Sequence, residues 1–99
     1  MLTINKTIEN GKAILTPAGR LDTVTAPEME GVIKELLQTV NDLILDFAQL
    51  DYISSAGLRV LLSTQKAIAE KGKMKITNVN DTIMEIFDVT GFSDILTIE

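Results

Sequence analysis

Ninety-nine residues, 45% apolar and 23% charged, make one globular domain long enough to bury a core. Without cysteine or histidine, the chain has no disulfide, thiolate nucleophile or Ser-His pair, and no metal site built on those ligands; a reducing compartment fits. Nine basic against fourteen acidic residues leave a net charge of −5, which repels nucleic-acid phosphates and anionic membrane surfaces.

Leu2–Ile8 alternates, with Leu2, Ile4 and Ile8 on one face of a half-buried strand. Asn10-Gly11 is a hairpin signal, because a type I′ turn needs positive φ at both central residues. Ala13–Ala18 returns as the second strand, and Pro17, lacking an amide donor, places it toward an edge or ends it. Gly19-Arg20-Leu21-Asp22 leaves as a loop. Thr25 and Glu28 have capping-box spacing, with Pro27 in the first turn of a helix over 26–39 that buries Met29, Val32, Ile33, Leu36 and Leu37.

Leu43-Ile44-Leu45 reads as a buried strand, followed by a loop bearing Asp46, Phe47, Asp51 and Tyr52. Ser54-Ser55-Ala56-Gly57 then breaks the pattern, and Leu58, Leu61, Leu62, Ile68 and Ala69 follow at helical spacing. Lys71-Gly72-Lys73 stops this helix, with Gly72 free to turn left-handed. Met74, Ile76 and Val79 form a further strand. Thr82 and Glu85, again at capping-box spacing, open a third helix that buries Ile83, Ile86, Phe87 and Val89 and ends at Gly91. Ile95–Ile98 supplies a last strand. The order β-β-α-β-α-β-α-β predicts an α/β fold: a mixed sheet, antiparallel at its N-terminal hairpin and largely parallel beyond, flanked by helices.

The junction at 54–57 is the candidate site. A serine there serves as a helix N-cap, worth about 1 kcal/mol, but a cap does not explain two serines followed by a small residue and a glycine. Such a tip leaves a hydroxyl open to another protein's active site, and an anion placed there meets free N–H groups at the positive end of the helix dipole. Arg59, Ser63, Lys66 and Glu70 line the polar side of the following helix, either as a solvated face or as a docking surface.

Other motifs carry little. Ser63-Thr64-Gln65-Lys66 matches S-x-x-K but falls inside a helix, without the companion motifs of acyl-transfer enzymes. Asp42, Asp46, Asp51 and Asp81 fit no calcium loop. No nucleotide-binding glycine loop is present, so no cofactor is expected. The N-terminus lacks the apolar core of a signal peptide and no run reaches membrane-spanning length, so the expectation is a cytoplasmic protein.

Gly19-Arg20-Leu21-Asp22, Leu45-Asp46-Phe47, the Y-I-S-S-A-G-L-R-V-L-L run and Ile86–Phe92 together resemble the STAS domain, and in particular stand-alone bacterial anti-sigma factor antagonists. The resemblance spans nearly the whole chain as a single domain, residues 1–99. It implies that Ser55 is the phosphorylated residue, with Ser54 as runner-up, in an environment of Asp22, Ala56 and Gly57. Ser54 stands where the family commonly has aspartate, Ala56 where it has serine or threonine, and Arg59 where many relatives have glycine. The implied mechanism is partner switching in transcription regulation. The unmodified chain would bind an anti-sigma factor that is also a serine protein kinase, releasing a sigma factor. Phosphorylation would end that binding, and a serine phosphatase would restore it. Ser54, Leu58, Arg59, Ser63 and Lys66 would form the partner-binding surface. On this reading the chain is not an enzyme, meets neither nucleic acid nor membrane, and need be no more than a monomer. The alternatives are a STAS-fold interaction module without phosphorylation control, and a small enzyme or nucleotide-binding protein.

Overall fold

The computed structural model describes residues 2–99; Met1, the first residue of the single-domain assignment, lies outside them. Strands β1 (Leu2–Glu9) and β2 (Lys12–Leu21) form the antiparallel hairpin. Asn10 and Gly11 have φ of 50° and 78°, the paired positive values that this turn requires. Helix α1 (Ala26–Leu36) leads to β3 (Asp42–Asp46), and a short loop leads on to β4 (Leu50–Ile53). Helix α2 (Ser55–Ile68), strand β5 (Lys73–Thr77), helix α3 (Asp81–Thr90) and a 3-10 turn at Phe92–Asp94 complete the chain. The sheet runs β1-β2-β3-β5, with β4 also paired to β2, and the hairpin is its antiparallel part. The mixed α/β class read from the sequence is the class observed.

The elements differ from expectation in detail. β2 is neither at an edge nor ended by Pro17. It runs on to Leu21 and is shared, with Lys12–Leu15 pairing parallel to β3 and Gly19–Leu21 pairing parallel to β4. Pro17 sits between these two pairings. The Gly19 amide donates to the Gln49 carbonyl at 3.1 Å, and strand alternation turns position 17 toward that same side. The missing N–H of Pro17 therefore falls in the gap where one partner strand gives way to the next. β4 itself lies in the stretch expected to be loop. It has four residues, one of them Asp51, and its strand character comes from the tail of β2 rather than from local pattern.

The expected last strand is reduced to one parallel bridge between Ile76 and Ile98. Helix α1 ends at Leu36 instead of position 39. Val89, expected in the core, is 81% exposed. Gly72 is not left-handed. Its role is close approach, since a Cβ there would run into the Asn41 carbonyl group. The capping residue of α3 is Asn80, whose side chain accepts from the Ile83 amide at 2.8 Å, rather than Thr82.

One face of the sheet carries the core. Ala13, Leu15, Leu21, Leu43, Leu45, Ile53, Met74 and Ile76 point into it and are buried. Helix α1 contributes Met29, Ile33 and Leu36; α2 contributes Leu58, Leu61 and Ile68; α3 contributes Ile83 and Phe87. With one tyrosine and three phenylalanines in the chain, this core rests on aliphatic packing.

Candidate functional site

The site lies where β4 hands over to α2. The Ser54 amide donates to the Leu21 carbonyl at 2.9 Å, which ties the junction to the end of β2. The Ser54 carbonyl then accepts the first helical bond, from Leu58, at 2.9 Å. Ser54 occupies the N-cap position in extended conformation, yet its side chain makes no capping bond. Its Oγ is instead enclosed and without a hydrogen-bond partner among the described residues. Ser55, the first helical residue, is exposed. The two hydroxyls of the pair thus face opposite environments.

Gly57 explains how the helix starts so close to the sheet. A Cβ there would lie 2.7 Å from Cγ1 of Ile53 and 2.9 Å from Cγ of Leu21. Only a residue without a side chain lets the first turn of α2 rest on these two core residues. Helices α1 and α3 carry acids in their first turns, Glu28 and Asp81, whereas α2 carries none. Among the described residues its N-terminal amides meet no capping side chain and no acid of the helix's own first turn, so the helix itself leaves its positive end uncompensated.

Asp22 immediately follows the Leu21 carbonyl that holds Ser54. Its carboxylate accepts from the amides of Val24 at 3.1 Å and Thr25 at 3.2 Å, while Thr25 Oγ1 accepts from the Asp22 amide at 2.9 Å. Thr25 Oγ1 donates in turn to the Arg20 carbonyl at 2.8 Å. Side chain and amide are exchanged reciprocally over three residues, so the capping box expected at Thr25 and Glu28 exists one turn earlier, between Asp22 and Thr25. The Thr25 amide, foremost, and then the Val24 amide, the Thr25 hydroxyl and Arg20 hold the Asp22 carboxyl below its ordinary value, against partial desolvation. Arg20 stacks over Tyr52, 4.5 Å from the ring centre, with Nε 3.9 Å from Asp22 Oδ2. Asp22 therefore shapes the loop beside the junction.

The remaining candidates divide by orientation. Arg59, Ser63 and Lys66 are exposed along one side of α2; Ala56 is half-buried and Gly57 buried. Leu58, read as a partner contact, is 6% exposed and belongs to the core, because its place on the leucine stripe turns it inward. Ser54 is likewise turned in at its hydroxyl. The structure adds a wall that sequence reasoning missed. A depression of about 320 Å³ opens beside Ala56 and Arg59, bounded across the way by Thr23, Pro27 and Glu30. It continues into a second, of about 360 Å³, along Arg59, Ser63 and Lys66. Together they form a groove between α1 and α2 that begins at the helix tip. Val24, 85% exposed in the loop beside it, is an apolar side chain left outside the core of the described residues. Its signal in the sequence is slight: one valine amid threonines in T-V-T.

Among the described residues no group of three acidic side chains converges, the four aspartates considered as metal ligands included. No helix there is long and apolar enough to cross a membrane.

Residues 3–99 match the STAS domain family. The anti-sigma-B factor antagonist of Staphylococcus aureus is 30% identical over 97 residues, covering 96% of this chain and 90% of that protein. An anti-sigma factor antagonist from Mycobacterium paratuberculosis shares the fold with a TM-score of 0.90, at 19% identity over 99% of this chain and 85% of that one. So does the Bacillus cell fate determinant SpoIIAA in its phosphorylated form, with a TM-score of 0.76, at 17% identity over 98% and 91% of the two chains. A fold built on a shared β2, a glycine-seated α2 and a match along nearly every residue leave one assignment: the chain belongs to the STAS domain family.

Proposed function

We propose that this chain is an anti-sigma factor antagonist, switched by phosphorylation of Ser55. The observation that carries the reading is the asymmetry of the serine pair: Ser55 is exposed at the head of α2, while the Ser54 hydroxyl is enclosed. A kinase acting on the folded protein can reach the first and not the second. The name of the staphylococcal relative supports the same role.

In this mechanism the unmodified chain docks an anti-sigma factor along the α1–α2 groove, through Val24, Arg59, Ser63 and Lys66. That partner releases its sigma factor and, being a serine protein kinase with its own ATP and Mg²⁺, phosphorylates Ser55. The phosphate adds about −1.5 to −2 charges at the edge of the groove. The uncompensated end of α2 accommodates this charge without loss of fold, so the effect falls on the interface. A chain already at −5 then repels an acidic docking surface. A serine phosphatase resets the switch. The chain contributes no catalysis, and the exchange takes place in the cytoplasm, where sigma factors act.

The test is to incubate the protein with ATP and the serine-kinase anti-sigma factors of its own cell, then to map phosphate by mass spectrometry. Phosphate is expected on Ser55, and Ser55→Asp should bind the partner at least about tenfold more weakly than Ser55→Ala. A chain that no kinase modifies, with Ser55→Asp binding normally, would establish instead an interaction module whose junction is only a helix start.

A further inference from the structure

We propose that the sheet face opposite the helices is a self-complementary surface through which two copies of this chain associate. Helices α1, α2 and α3 pack on the core side, and the other side presents its side chains outward. The strand register sets those side chains in rows. Glu9 pairs with Lys12, Lys12 with Asp42, and Asp42 with Lys73, so one row across β1, β2, β3 and β5 reads minus, plus, minus, plus. All four residues are exposed, and none forms an ion pair within the chain among the described residues. The next row on the same face is Thr7, Ile14, Ile44 and Lys75, with two isoleucines at its centre. Ile14 is 36% exposed in a position where no neighbouring element covers it.

A row of alternating charge has a definite partner. Rotation by 180° about an axis parallel to the strands, set above the gap between β2 and β3, reverses the row and turns it over. Glu9 of one copy then faces Lys73 of the other, and Lys12 faces Asp42, each contact occurring twice. The same operation lays Ile14 of one copy on Ile44 of the other. Sheets packed in this way keep their strands roughly aligned about 10 Å apart, a gap that lysine and glutamate side chains span. The match is a property of this register, because a row ordered plus, minus, minus, plus would meet its own sign throughout. A face four strands wide offers a footprint of roughly 300 Å² per copy, well under the ~800 Å² of a standard interface. The dimer is accordingly weak and salt-sensitive, and it leaves Ser55 and the α1–α2 groove of both copies uncovered. The inference does not depend on phosphorylation.

The experiment is sedimentation equilibrium of the full chain from about 10 µM to about 1 mM at roughly 50 mM salt, with circular dichroism confirming that each variant is folded. The wild type should self-associate, more weakly as salt rises. Lys12→Glu and Asp42→Lys should each remain monomeric at the highest concentration, because each meets its own sign twice in the symmetric pair. Mixed in equal amounts they should associate again, since every facing pair in the mixed dimer is then opposite. Glu9→Lys and Lys73→Glu give the same test at the outer positions, should Asp42→Lys fail to fold. A wild type that stays monomeric throughout, whether the face is bare or serves another protein, overturns the proposal. So does association that Lys12→Glu leaves unchanged, or a mixture that fails to associate.

Discussion

Substituting Gly57 by alanine sets two opposed effects against each other at the site. Alanine is the better helix former by about 1 kcal/mol, which favours the variant. Its methyl group, however, would stand 2.7 Å from Ile53 Cγ1 and 2.9 Å from Leu21 Cγ, with the Leu21 carbonyl oxygen at 3.1 Å. Neither carbon is the loose end of a flexible chain. Both belong to buried branched residues, and the carbonyl is the one that holds the Ser54 amide. Overpacking of this kind costs about 1–3 kcal/mol, so after the helix gain the net expectation is a loss of up to about 2 kcal/mol, or up to roughly 16 °C in Tm for a domain of this size. Gly31 is the control: it lies exposed on α1, a methyl group there would meet nothing within 4 Å, and alanine should stabilise by up to ~1 kcal/mol. Urea denaturation of both variants, followed by circular dichroism, measures the pair. Equal gains at the two positions would mean that α2 does not rest on Leu21 and Ile53 as described.

Three further outcomes follow from the same contacts. Ser54→Ala removes an enclosed hydroxyl that has no partner, so urea titration should find stability unchanged or raised by up to ~1 kcal/mol; a loss of that size would restore the N-cap role. Asn80→Ala removes both the cap on Ile83 and an Nδ2 bond to the Leu50 carbonyl at 2.9 Å, and should lower stability by about 1–2 kcal/mol in the same assay. For Asp22, a folded-state pKa below the ordinary 3.8 means that its contribution is present above that value and is lost as pH falls through the lower folded one. Asp22→Asn should therefore flatten the acid limb of the stability–pH curve below about pH 4, while leaving its shape near neutrality unchanged.

Much of this architecture is legible in the sequence because it depends on local pattern. The Asn10-Gly11 turn, the leucine stripe of α2 and the break at Ser54–Gly57 each follow from residue types at fixed spacings. What is not legible depends on distant partners. β4 exists because the end of β2 extends beyond β3, and nothing within Leu50–Ile53 announces that. Gly72 looks like a helix stop, but its need is set by Asn41, thirty-one positions away. Asp22 and Thr25 do have capping-box spacing, yet Thr25 and Glu28 have it too, and only the turn at 23–25 selects the earlier pair. The direction of the Ser54 hydroxyl has no sequence signal, nor does the α1 wall of the groove, since both arise when separate elements come together.

The seam at Pro17 divides the protein's resistance to opening into two grades. Below it, β2 is locked between β1 and β3 with β5 beyond; above it, the far strand is the four-residue β4. Segments with fewer cross-links breathe at lower free-energy cost than the frame that carries them. The end of the molecule that bears Ser55 is thus the less cross-linked of the two, and amide exchange should be faster in β4 than in β3.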